Sequence, residues 1–550
     1  MPTETPAPSF DLVRMPWLPV QRLDGSETQL SLADTLAQAH RLRRIVGDVP
    51  TQEFALTRLL LAVLHDALDG PTDPDQWSGW WEDGWPAEQV DAYLERYRDR
   101  FDLLHPTAPF FQVADLRTAK GEYASLDRIV ADVPNGDRFF TTRVHGAVRL
   151  GFAEAARWVV HAHAFDPSGI KSGAVGDPRA KGGKGYPLGV GWSGNLGGVM
   201  AEGDTLRDTL LLNLIAADTP GLVVDDDDAP AWARPPLEAG PAQSFRTRPT
   251  GVRALYTWQT RRLRLHHDAE GVYGVLLAYG DPLVARNRHN REPMTAWRRS
   301  PAQEKKLGEA QVYLPREHDP ARSAWRGLGA LVAGRVHGAA QRQEAASVVR
   351  PRILDWIARL VNEDHLPEDH LIRARLIGAV YGTQQAVIDE IVDDAVAMPV
   401  VLLHEGRADL GEAAIGAVVD AEKAVTALGD LATGLAEAAG ADTEGPRDTA
   451  RDLGFGALDG PFRDWLRTLA PGGDPDERRA RWQREARRVV TRIGADLVAQ
   501  AGEAAWTGRV VQGRNGAVWL TAASADLRFR AELKKQLSLS AAEPTLEARP

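Results

Sequence analysis

The sequence predicts an α+β protein in two parts, an irregular mixed N-terminal domain over residues 1–395 and a helical bundle over residues 396–545. Three observations predict it. A chain of 550 residues exceeds one compact domain. Residues 250–280 alternate apolar and polar side chains, as the strands of a sheet do. Beyond Pro399 the chain is Ala-rich, and Ile415, Val418, Val419, Val425, Leu428, Leu431 and Leu435 recur at helical spacing.

Residues 10–30 read as two extended runs joined at Asp24-Gly25, a hairpin signal. Ser31 is placed to cap a helix running through Arg44. A second helix starts near Thr51, carries Phe54, Leu59, Leu60 and Val63, and stops at Gly70-Pro71. Residues 72–135 mix short helices with Trp-rich loops, and His105–Val113 turns into a short extended run. A helix is expected over 150–164, then a glycine-rich zone, then LRDTLLLNLI (Leu206–Ile215) as a short buried helix. The run Asp225–Asp228 lies in a Pro-rich loop and is expected to be solvated, and residues 284–306 are irregular and basic. From about Ala321 the chain turns helical. A late helix opens at Asp474-Pro475-Asp476-Glu477, where Asp474 caps, Pro475 suits the first turn and the acids suit the positive helix end. Its apolar stripe is Trp482, Val489, Ile493 and Leu497.

Composition removes whole classes of function. There is no cysteine, so disulfides, thiolate nucleophiles and Cys-ligated metal centres are excluded. The opening residues lack the basic and apolar regions of a signal peptide. The run Leu59–Leu64 ends at His65 and Asp66, far short of a bilayer span. A cytoplasmic protein without membrane contact is the expectation. The formal net charge is −11, so any nucleic-acid contact has to be local or shared with more basic partners.

Gly189, Gly191 and Gly194 spell G-x-G-x-x-G, the dinucleotide fingerprint. That motif needs a strand before it, a helix after it and an acid about 20 residues on. GGKGYPL precedes and NLGGVMAEGD follows, so the context is wrong. Lys184 is followed by Gly185 rather than Ser or Thr, which also excludes a P-loop. His161, His163 and Asp166 sit in a helical segment, where residues i and i+2 do not face one another, so a structural role is expected and no metal site. What stays is a glycine loop bearing Lys181 and Lys184, either a bare surface loop or a backbone able to enter a groove about 6 Å wide, the minor groove of DNA. Beside it stand a basic stretch with Arg286, Arg288, Arg291, Arg298 and Arg299, and the pair Gln384-Gln385 at the head of an apolar helical pattern.

FDLVRMPWLPV, HPTAPFFQ, LRDTLLLNLI, YGTQQAVI and the terminal helices, in that order, resemble one family. It is the CasA family, the large subunit of the type I-E CRISPR surveillance complex, Cascade. The resemblance implies a C-terminal four-helix bundle and a non-catalytic protein without a cofactor. It implies a glycine loop in the minor groove at the PAM, the short tag beside the target; Gly182, Gly183, Lys184 and Gly185 match it. It implies a strand-separating wedge at Gln384 and Gln385. The family's lysine finger is replaced here by an arginine, with Arg286, Arg288 and Arg291 as the candidates. Phe139 and Phe140 are the candidates for stacking on the guide RNA handle. The implied partners are the other Cascade subunits, the guide crRNA, double-stranded target DNA and a helicase-nuclease. Two other readings stay open: a nucleotide-dependent enzyme built on the glycine loop, and a purely structural scaffold subunit.

Overall fold

The computed structural model of the chain describes residues 8–131, 149–332, 347–513 and 516–541. The described residues fall into two compact units. One contains those up to Arg322, those within Arg335–His365, and Ile372–Ala395; the other contains those within Ser323–Gly334, Leu366–Leu371 and those from Val396 onward.

In the first unit Leu18–Arg22 (β1) pairs antiparallel with Glu27–Leu30 (β2) across the Asp24-Gly25 turn. The other edge of β1 takes Leu42–Ile45 (β3). The helix capped by Ser31 therefore ends at Ala37 (α1, Leu32–Ala37) and does not run through Arg44. Pairing β1 and burying Leu42 and Ile45 against it outweighs local helix propensity.

Pro50–Leu68 (α2) is buried on nearly every face and forms the axis of this unit. Asp69, at φ 48°, ends it just before Gly70-Pro71. Phe152–Phe165 (α3) packs on α2. Leu206–Asn213 (α4) is the expected short buried helix, opened by a reciprocal cap between Thr205 and Asp208.

The acidic run is only partly solvated. Asp228 is buried and accepts from the backbone N–H groups of Arg253 (2.9 Å) and Ala254 (3.0 Å) at the start of Val252–Tyr256 (α5). Residues 250–280 thus open on a short helix before the hairpin.

Two short strands, Lys171–Ser172 (β4) and Lys184–Gly185 (β5), pair with each other. Gly198–Glu202 (β6) lies further on, followed by the long hairpin of Arg261–Asp268 (β7) and Gly271–Tyr279 (β8). The largest departure from the sequence expectation is past Ala321. Leu371–Tyr381 (β9) and Ile388–Pro399 (β10) are strands, in a sheet of order β10-β9-β6, where helix was expected. Strand β9 finds an antiparallel partner in β6, which buries Ile372, Ala374 and Ile377. That cross-chain pairing is invisible to local periodicity.

A charged pair lies inside the first unit. Arg58 of α2 donates through Nη1 and Nη2 to the two carboxylate oxygens of Glu292, at 2.9 and 2.8 Å. The indole N–H of Trp192 (2.7 Å) and the backbone N–H of Met294 (3.0 Å) complete that carboxylate. The guanidinium also lies 4.3 Å from the Tyr256 ring centroid. Glu292 is thus an internal anchor and leaves the surface of the basic stretch without its nearest acid.

In the second unit Ala408–Ala439 (α6), Glu444–Arg467 (α7), Pro475–Ala499 (α8) and Ala522–Gln536 (α9) pack together, with α6 touching the other three. Val418, Val425, Leu428, Leu431 and Leu435 are buried as expected, but Val419 is 40% exposed. The buried face of α6 owes as much to Ala414, Ala417, Ala421 and Ala424, whose small side chains let the neighbouring helices come close. On α8 Trp482 and Val489 are buried, whereas Ile493 and Leu497 are half-buried. Asp420 of α6 accepts from Arg479 (2.8 and 2.9 Å) and Gln483 (2.9 Å) of α8. No described helix is long and apolar enough to cross a membrane.

Glu292→Ala strips the counter-charge from a guanidinium that is 2% exposed. An expected loss of about 3–5 kcal/mol follows. Urea denaturation should show a lower midpoint with little change in slope.

Candidate nucleic-acid interface

Helix α3 ends at Asp166, and the next seven residues form a strap beneath two surface turns. The Asp166 carboxylate is buried between two cations. It accepts from Nε of Arg261 on β7 and lies 2.8 Å from Nζ of Lys171. Nη2 of Arg261 donates to the backbone carbonyls of Asp166 (2.8 Å), Pro167 (3.2 Å) and Gly189 (3.0 Å). Its guanidinium lies 4.9 Å from the Tyr279 ring centroid. Burial pulls the Lys171 ammonium below its ordinary pKa, and Asp166 opposes that shift.

The strap hands its backbone to both turns. Ser168 N–H donates to the Gln385 carbonyl at 2.7 Å. The Gly169 carbonyl accepts from the Tyr279 hydroxyl at 2.6 Å. Lys171 and Ser172 are β4 and pair with Gly185 and Lys184 of β5. Gly173 N–H donates to the Gly183 carbonyl at 2.9 Å, and a Cβ on Gly173 would sit 2.6 Å from the main chain of Gly183. The anchors Ser168 and Ser172 are four residues apart, so they lie within about 14 Å of each other.

The glycine turn is a two-residue hairpin. Lys181 and Lys184 exchange backbone hydrogen bonds of 2.9 and 3.1 Å. Gly182 and Gly183 have φ of 59° and 72°, the doubly positive turn that glycine supplies most easily. Both are exposed, as is Lys184, and a Cβ on either glycine would meet nothing within 4 Å. Gly185 differs. It is buried, and a Cβ there would lie 3.3 Å from the Tyr279 ring and 3.4 Å from the Ser172 carbonyl. The bare tip is therefore Gly182-Gly183, and Gly185 belongs to the packing beneath it.

The fingerprint glycines serve internal contacts. Gly191 lies against the main chain of Ala164 and donates to the Asp166 carbonyl at 2.9 Å. Gly194 lies against the Tyr381 hydroxyl. A short 3₁₀ turn, Trp192–Asn195, follows instead of the helix a dinucleotide site needs.

Gln384 and Gln385 sit in the turn between β9 and β10, with φ of 57° and 56°, and both are exposed. They do not head a helix, contrary to the sequence expectation. Left-handed backbone at two successive non-glycine residues is costly and persists because the turn is held on both sides. Gly382 N–H donates to the Val387 carbonyl (3.1 Å), and the Gln385 carbonyl is taken by Ser168.

The arginine candidates separate clearly. Arg291 is committed to the Asp225 carboxylate at 3.0 Å and to the Thr250 carbonyl. Arg286 pairs with Glu309 at 3.0 Å while 42% exposed. Arg288 is half-buried, and desolvation together with Arg291 lowers its pKa. The root of this stretch, Leu283 and Ala285, packs against Trp192, Leu196 and Leu255. Phe139 and Phe140 lie outside the described residues.

His161 and His163 are structural. His161 Nε2 pairs with the Thr51 hydroxyl at 2.9 Å and His163 Nε2 with the Phe111 carbonyl at 2.8 Å. No cluster of His, Asp or Glu among the described residues has the arrangement of a metal site. The sequence reading missed the Asp166–Arg261–Lys171 cluster and Tyr279. The signal was present in RRLRL, where two adjacent arginines, Arg261 and Arg262, open a strand whose other residues ask to be buried.

Residues 11–493 match the family of CRISPR-associated protein Cse1. A curated relative, CasA/Cse1 of Thermus thermophilus, is 33% identical over 336 residues, which span 59% of this chain and 60% of that protein. The crystal structure of Thermobifida fusca Cse1 is 66% identical, with a TM-score of 0.90 over 97% of this chain and 99% of that one. A chain of a structure titled as a CRISPR RNA-guided surveillance complex shares the fold at 19% identity, with a TM-score of 0.65 over 89% of this chain and 99% of that one.

Desolvation lowers the pKa of His161 to about 3 and of His163 to about 4. In the unfolded chain both titrate near 6.5. The unfolded state thus binds protons first as the pH falls, so this contribution is whole above about pH 6.5 and is lost toward about pH 4. His163→Gln should be less stable than the parent at pH 7 yet lose less stability between pH 6.5 and 4.5, read by denaturant titration at each pH.

Proposed function

The chain belongs to the CRISPR-associated Cse1 family, and from that premise we propose that it is the large, non-catalytic subunit of an RNA-guided DNA surveillance complex. In this reading it recognises the PAM from the minor groove, wedges the duplex open to start the R-loop, and helps recruit the helicase-nuclease. Its partners are the other Cascade subunits, the guide crRNA and the target duplex.

The observation that supports the reading most is the pairing of two exposed turns on one strap. One turn presents side-chain-free backbone at Gly182-Gly183, and the other presents the two amides of Gln384 and Gln385. Glycine main chain fits a groove about 6 Å wide, where the acceptors of A·T and T·A pairs look alike. Such a reader senses groove shape and the guanine amino group. Lys184, exposed beside the tip, is placed to meet a phosphate. Opening the first base pairs costs about 1.4 kcal/mol per stacking step, and the guide heteroduplex returns most of it. Amide groups accept and donate, so Gln384 and Gln385 can satisfy freed base edges while the exchange begins.

Among the basic candidates Arg288 and Arg286 suit the finger role better than Arg291, which the acidic run already holds. Phe139 and Phe140 remain the proposed contacts to the guide RNA handle. The nucleotide-enzyme alternative loses its support, because Gly191 and Gly194 are taken up by contacts within the protein.

The test uses the assembled complex and target duplexes with and without a PAM. Gly183→Asp adds a charge at a tip with open space around it, and its left-handed φ of 72° costs about 1–2 kcal/mol, which the fold should survive. Duplex affinity should fall at least about tenfold, the cost of one misplaced interaction near 1.4 kcal/mol. The double variant Gln384→Ala, Gln385→Ala should keep PAM-dependent capture but slow strand opening. Unchanged target binding and opening in both variants would sink the reading and leave the scaffold alternative.

A further inference from the structure

The two turns share more than a strap. Tyr279, 2% exposed at the end of β8, touches both halves of it. Its hydroxyl donates to the Gly169 carbonyl at 2.6 Å, one residue past Ser168, which holds Gln385. Gly169 also faces Ala386, 3.9 Å from where its own Cβ would be, so it backs directly onto the glutamine turn. The edge of the Tyr279 ring meets Gly185, the residue that roots the glycine turn. Beneath the ring lies the Arg261 guanidinium, locked to Asp166 and to three carbonyls of the strap and the loop beyond. Displacement of Gly185 therefore presses on a ring whose hydroxyl holds the Gly169 carbonyl of the strap, next to the Ser168 N–H that binds the glutamine turn.

We infer that Tyr279, seated on the Asp166–Arg261 pair, is a positioning residue that couples the glycine turn to the glutamine turn, so that docking of the first in a duplex sets the second for strand opening. This inference rests on the proposed function. It assigns Tyr279 no contact with DNA. Its effect passes through the Gly169 carbonyl and the packing on Gly185.

The experiment follows opening of the pair beside the PAM by 2-aminopurine fluorescence, with the full chain in its assembled complex. Three targets are compared: fully paired with a PAM, fully paired without one, and PAM-bearing with a short mismatched bubble already open beside it. Tyr279→Phe keeps the ring and removes one hydrogen bond. It should open the paired target about tenfold more slowly, the scale of one lost hydrogen bond to a partly buried carbonyl, while matching the parent on the bubble target and in its preference for the PAM. Gly169→Ala strains the same strap from the backbone, at φ 114°, and should show the same pattern if the first variant fails to assemble. Equal rates on the paired target, or equal slowing on paired and bubble targets, would overturn the coupling. If the parent itself opens paired targets alike with and without the PAM, the functional reading fails before any variant is compared.

Discussion

The carboxylate of Asp166, buried between Arg261 and Lys171, is the interaction on which the site depends. Charges taken from water are tolerated only when the geometry returns what desolvation removes. Arg261 meets that demand by spreading its remaining donors over the carbonyls of Asp166, Pro167, Gly189 and Thr260. The consequence is structural as much as energetic. A segment with little regular secondary structure is tied to its surroundings by several hydrogen bonds, and moving it would orphan several groups at once.

Rigidity below permits bareness above. A Cβ on Gly182 or Gly183 would meet nothing within 4 Å, and Gln384 and Gln385 are exposed in a left-handed backbone. Each turn is closed by backbone hydrogen bonds of its own but is anchored to the body of the unit from outside. Both borrow order from the strap, through β4 for one and Ser168 for the other. This is the arrangement a binding surface needs, exposed recognition elements positioned by a preorganised scaffold.

The charge pattern follows the same logic. The chain is acidic overall, yet arginine recurs in its interior. Arg58, Arg261, Arg262 and Arg375 are each buried and each matched to carboxylates. The guanidinium fork suits that work, since it satisfies a carboxylate bidentately and still reaches carbonyls. A count of basic residues therefore says little about which ones face a polyanion. Of three neighbouring arginines, Arg291 is spent on Asp225, Arg286 is shared with Glu309, and Arg288 is half-buried without a carboxylate partner among the described residues.

By itself the sequence determined what local chemistry controls. The Asp24-Gly25 turn, the Ser31 and Asp474 caps, the buried helix after Thr51 and the long helices past Pro399 were legible because each is set by neighbours within a few positions. The order of motifs along the chain carried the family resemblance in the same way. Only tertiary structure decided that residues after Ser31 leave the helix for a sheet edge, that Leu371–Pro399 is a hairpin, and that Asp228 caps a helix. It alone drew Asp166, Arg261, Tyr279, Gly185 and Gln385 to one place, from positions more than 200 residues apart. The physical reason is that strand partners and buried counter-charges are found in space. Burial then overrules the local preferences that periodicity can read.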